Sequence, residues 1–74
     1  MDMNGEKIMI KIYIAKIVVI DNKLSFEKES SHTFHNKVMA LRFMYKMNSL
    51  GYKVISIMCD DLWDYEWIER RFNV

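Results

Sequence analysis

Hydrophobic and polar positions alternate along the first third of this chain. From Lys7 to Ile20 the odd and even positions separate: Ile8, Ile10, Ile12 and Ile14 share one face, and Lys7, Met9, Lys11 and Tyr13 share the other. A period of two predicts a long β-strand. The phase slips at Ala15-Lys16, where a bulge is expected, and Ile17 and Val19 then take the positions that had been polar. Asp21-Asn22-Lys23 supplies turn residues, so a hairpin should follow. Lys23–Ser31 reads as the second strand, with Leu24 and Phe26 inward and Ser25, Glu27 and Glu29 outward. Its charges suit a sheet edge.

The pattern then changes period. A helix is expected from about His35 to Leu50, capped by Thr33 or Asn36, with Phe34 packing on its first turn and Gly51 ending it. Tyr52–Cys59 is apolar on both faces and reads as a third strand inside a covered sheet. Leu62–Phe72 reads as a terminal helix capped by Asp60 or Asp61, with Asp64 in its first turn. Leu62, Tyr65, Ile68 and Phe72 should line its inner face. The expected architecture is α+β, in the order β-β-α-β-α. Its three-stranded sheet has strand order 2-1-3, because a right-handed crossover from the second strand to the third leaves the first between them. The main helix covers one face of the sheet. A single domain over residues 1–74 is expected.

Composition sharpens this picture. A chain of 74 residues buries only about 60% of its unfolded surface, so it needs a dense core or a partner. It is 51% hydrophobic and holds seven methionines, and its one cysteine, Cys59, rules out an internal disulfide. The start, Met1-Asp2-Met3-Asn4-Gly5-Glu6, lacks a basic signal region, and Ile8–Ile20 is too short and too interrupted by Lys11 and Lys16 to span a bilayer. A cytoplasmic protein is expected. Proline is absent and Ile, Lys, Asn and Met are plentiful, the bias of low-GC bacteria and their phages. Net charge is +1 but uneven: residues 1–56 hold nine basic against five acidic residues, and residues 57–74 hold two against five. That asymmetry points to a charged partner or a head-to-tail contact.

Catalytic patterns are missing. No Gly-rich phosphate loop or nucleophile elbow occurs. His32 and His35 have the spacing of a metal pair, and Cys59 could add a ligand, but histidines at a strand-to-helix junction more often cap or meet solvent. Asp60 and Asp61 are better read as helix caps than as a catalytic pair. The expectation is a protein that is not an enzyme and has no cofactor or metal.

Apolar surplus points to binding. Around the main helix, Arg42, Lys46 and Ser49 make a narrow polar stripe. Val38, Leu41 and Tyr45 form one apolar flank; Met39, Ala40, Phe43, Met44, Met47 and Leu50 form another. One sheet face buries an arc of about 100°, so the second flank is expected either to lie under the terminal helix or to meet a partner, a second copy included. Trp63 and Trp67, near Asp64, Glu66, Arg70 and Arg71, are the other candidate contact, since Trp, Tyr and Arg dominate interface hot spots. The nearby acids would steer a basic partner. At the opposite pole Lys7, Lys11, Tyr13 and Lys16 could instead hold RNA or single-stranded DNA.

The basic first strand Lys7–Tyr13, a tight hairpin, a helix and the strand Lys53–Cys59 resemble, over residues 7–60, the small phage-encoded proteins that disarm bacterial defence or toxin systems, the Dmd-type antitoxins among them. The resemblance implies inhibition by direct binding to a host or defence-system protein. It carries over no functional residue, and the tryptophan-bearing tail lies outside it.

Overall fold

A computed structural model describes residues 8–73; Lys7 and the rest of 1–7 fall outside it. The fold is α+β. Its elements are β1 (Ile10–Ile20), β2 (Lys23–Phe34), α1 (Lys37–Ser49), β3 (Tyr52–Cys59) and α2 (Leu62–Phe72). The sheet order is β2-β1-β3, with β1 antiparallel to both neighbours. The most apolar strand is therefore central, and both helices pack on one face of the sheet.

Hairpin geometry follows from two residues. Asp21 and Asn22 have φ of 53° and 63°, the pair of left-handed residues that a type I′ turn requires, and Ile20 pairs with Lys23 across it. Strand β2 runs three residues past the expected Ser31, to Phe34, because Thr33 and Phe34 still pair with Lys11 and Ile10. Helix α1 begins at Lys37, not His35: the Asn36 side chain accepts from the Val38 and Met39 amides at 2.8 and 3.2 Å. Gly51, at φ 95°, ends α1 as expected. Replacing the cap, Asn36→Ala, should cost about 1 kcal/mol, seen as a lower urea midpoint with an unchanged slope.

The irregularity expected at Ala15-Lys16 is present, but β1 itself carries no inserted residue. Between Ile14 and Lys16 of β1, β2 steps three residues, from Ser30 to Glu27, with Lys28 at φ 52° in the extra turn of chain. Between Tyr13 and Ile14, β3 steps from Ser56 to Val54, leaving Ile55 as its extra residue. Both neighbours bulge while β1 continues its alternation. Ile10, Ile12, Ile14 and Lys16 thus face the helices, and Lys11, Tyr13, Ala15, Ile17 and Val19 face away.

The core lies under the helices. Ile10, Ile12, Ile14, Ala40, Met44 and Ile68 are fully buried, and Leu41 nearly so. Each large aliphatic side chain in that set contributes about 2–3 kcal/mol of burial. Helix α2 covers the Leu41/Tyr45 flank of α1: Tyr45 stacks on Phe72 at 5.7 Å, and its hydroxyl donates to the Arg71 carbonyl at 2.7 Å. This corrects the expectation that α2 would shield the methionine flank. Phe34 packs on Phe43, in the second turn of α1, and not on the first turn.

Three expectations of inward packing are also corrected. Leu24 and Phe26 are 72% and 51% exposed, because β3 pairs with β1 only as far as Lys16 and the hairpin tip runs on without it. The molecule is accordingly long, 55 × 23 × 18 Å. Leu62 is 70% exposed at the start of α2, nearly two turns before the helix reaches the core at Ile68. Strand β3 is an edge whose outer-face Met58 is 63% exposed, so the sheet is covered on one side only.

Candidate binding surface

Position on α2 separates the two tryptophans. Asp61 caps this helix, accepting from the Asp64 amide at 3.1 Å. Ile68 then points into the core, and Trp67, one residue earlier, packs against the core's rim. Its ring is flanked by two cations: Lys37 Nζ lies 5.0 Å and Arg71 Cζ 4.0 Å from the ring centroid. Trp63, one turn toward the N-terminus, is 80% exposed. Between them lies a cleft of about 310 Å³ that Asp64, Glu66 and Arg70 also line.

The acids of this segment are dispersed. Asp61 serves the cap, and Asp64 lies 3.3 Å from Lys37 Nζ. Glu69 accepts from the Tyr65 hydroxyl at 3.0 Å, a hydrogen bond that, with the carboxylate's charge, raises the Tyr65 pKa. Asp60 accepts from the Met9 amide at 3.1 Å and so prolongs the β1–β3 pairing. Glu66 is the one carboxylate of the five that lines the cleft without a partner among the described residues.

The methionine flank of α1 divides. Phe43 stacks on His32 at 4.6 Å and on Phe34 at 5.0 Å, and Met47 packs against the core, so neither is an outward contact residue. Met39 and Leu50 stay 54% and 55% exposed at the two ends of the helix. The sequence implied a continuous stripe; the structure leaves two separated side chains, because β2 reaches past the helix edge.

The basic face is also divided. Lys11 and Tyr13 share the open face with Lys53, but the Tyr13 hydroxyl donates to Glu29. Lys16 projects on the opposite face, 5.9 Å from the Tyr52 ring centroid. Lys7 lies outside the described residues.

One surface was missed in the sequence. Ile17 pairs with Phe26 and Val19 with Leu24, so all four crowd the open face of the hairpin tip, where Val19 is 65% exposed. The phase slip carried the signal, since it moved apolar residues onto a polar face. The assumption that Leu24 and Phe26 turn inward concealed it.

The titratable candidates have local roles. His35 Nδ1 lies 2.9 Å from the Ile8 carbonyl oxygen and donates to it, and His32 Nε2 lies 2.8 Å from Ser30 Oγ. Among the described residues no three potential ligands converge. Partial burial pushes the Cys59 thiol up, and nearby Asp60, Asp64 and Asp61 push the same way, against a backbone hydrogen bond at Asp61 that lowers it. A raised thiol pKa disfavours the thiolate that a nucleophile requires. No helix of the described residues is long and apolar enough to cross a membrane. Comparison with family models, curated proteins and solved structures finds no match to this chain.

Proposed function

We propose that this chain is a non-catalytic binding protein that inhibits another protein, in the manner of phage-encoded inhibitors of host defence or toxin systems, and that it acts in the host cytoplasm. The observation that carries the binding reading is Trp63, four-fifths exposed on a helix whose next turns are packed. A tryptophan in solvent adds nothing to the core and offers a large, stiff contact at little entropic cost. Inhibition and phage origin rest on the resemblance and on composition alone.

Capture from a lysate of a low-GC bacterial host tests it. A protein retained by the wild type should be retained at least tenfold less by Trp63→Ala, the loss expected of a hot-spot residue worth about 2 kcal/mol. Equal retention would remove α2 as the contact surface. Nucleic acid is supported less well, since Glu29 lies among the groups of the open face and Lys16 is on the other side.

A further inference from the structure

We infer that the cleft between Trp63 and Trp67 takes an acidic segment of a partner protein, an apolar side chain against the two indoles and a neighbouring carboxylate on Arg70 and Arg71. The inference rests on α2 being the contact surface. It reverses the sign that the acidic composition of residues 57–74 suggests.

Charge complementarity selects this occupant. Three cations line the cleft, Lys37, Arg70 and Arg71, against two carboxylates, Asp64 and Glu66. Lys37 and Asp64 offset each other at 3.3 Å. The cleft is left with two guanidinium groups against Glu66, and among the described residues no carboxylate lies within ion-pair distance of either arginine. The remaining acids of the segment do not line the cleft: Asp61 accepts at the helix cap, Glu69 from Tyr65 and Asp60 from Met9.

The arginine geometry suits a carboxylate. Arg71 lies over the Trp67 ring, with one Nη donating to the Trp67 carbonyl at 3.3 Å. A guanidinium held against an indole keeps its other in-plane N–H groups free for an oxyanion, and a pre-ordered fork loses little entropy on binding one. Arg70 is exposed one residue away. The cleft's volume of about 310 Å³ equals that of about ten waters at roughly 30 Å³ each, enough for an apolar side chain with a carboxylate beside it. A basic segment would meet two arginines against a single carboxylate, Glu66.

The test uses the full chain, labelled with ¹⁵N, and three capped tetrapeptides: acetyl-Glu-Leu-Phe-Glu-amide and its Gln and Lys counterparts. The acidic peptide should shift both indole N–H signals saturably and bind at least fivefold tighter than the Gln peptide at low salt. Arg70→Gln, at an exposed position, should bring the acidic peptide down to the Gln level, and Glu66→Gln should tighten it. Tighter binding of the Lys peptide, or an Arg70→Gln variant that binds the acidic peptide unchanged, overturns the acidic occupant while leaving α2 as the contact surface. Indole signals that none of the three peptides moves overturn the cleft as a peptide site. The Trp63→Ala capture result stands independently of either outcome.

Discussion

Ile12→Ala should lose about 3 kcal/mol of folding stability, within the 2–5 kcal/mol range of buried Ile→Ala changes. Ile12 is the third residue of the central strand, paired with His32 on one side and Ile57 on the other, and is fully buried. Its side chain belongs to the same cluster as Met44, Ala40 and Ile68, so truncation opens a cavity that sheet and helices both border. Relaxation into that cavity is limited, because the neighbouring strands fix the backbone on either side. A domain of this size has a stability on the order of 5 kcal/mol, so more than half of it is at stake. Urea unfolding followed by tryptophan fluorescence should show the midpoint fall by about 2–3 M at a slope near 1 kcal/mol/M. Val19→Ala, with the side chain 65% exposed at the hairpin tip, should stay within about 0.5 kcal/mol of wild type. A loss below 1 kcal/mol for Ile12→Ala would mean that the core is not closed around this strand.

Trp67→Ala should be the second large effect, about 2–3 kcal/mol, while Trp63→Ala should leave stability within about 0.5 kcal/mol of wild type. Trp67 is packed against the core rim and faces two cations. Its truncation removes buried area and two cation–π contacts of about 0.5–1 kcal/mol each at a partly exposed site. Trp63 has little to lose, since four-fifths of it is already in water. Differential scanning calorimetry of the two single variants separates them directly. Equal losses would show that the two rings form one packed unit, and Trp63 would then no longer qualify as a surface anchor. The contrast matters for function, because only a variant that stays folded can report on binding.

The apolar hairpin tip is the second exposed surface. It is unusual for an antiparallel ribbon to carry Ile17, Val19, Leu24 and Phe26 on a face that nothing covers. Sheet edges and faces left this apolar are sites of association. The tip and Trp63 lie on different elements, so substitutions at one should leave binding at the other unaltered.

Much of the fold was legible in order and type. The period-two runs of β1 and β3, the Asp21-Asn22 turn, Gly51 and the Asp61 cap each depend on interactions within a few residues, and local chemistry is what a sequence displays. The strand order followed as well, since the most apolar strand is the one that gains most from two neighbours. What stayed hidden was how far each element extends past the next. Where β3 stops against β1 decides that Leu24 and Phe26 are exposed, and how far β2 reaches decides that Phe43 is partly buried against His32 and Phe34. Contact with the core rim and with Lys37 of α1 separates a packed Trp67 from an exposed Trp63.

The opening alternation of Ile10, Ile12 and Ile14 determined by itself which face of the sheet became the core, because side-chain direction in a strand is a purely local property. The net acidity of residues 57–74 could not determine the charge of the cleft on α2. Only the tertiary structure did that, by bringing Lys37 of another helix to Asp64. Electrostatic potential depends on distances in space, and a sequence lists charges without them.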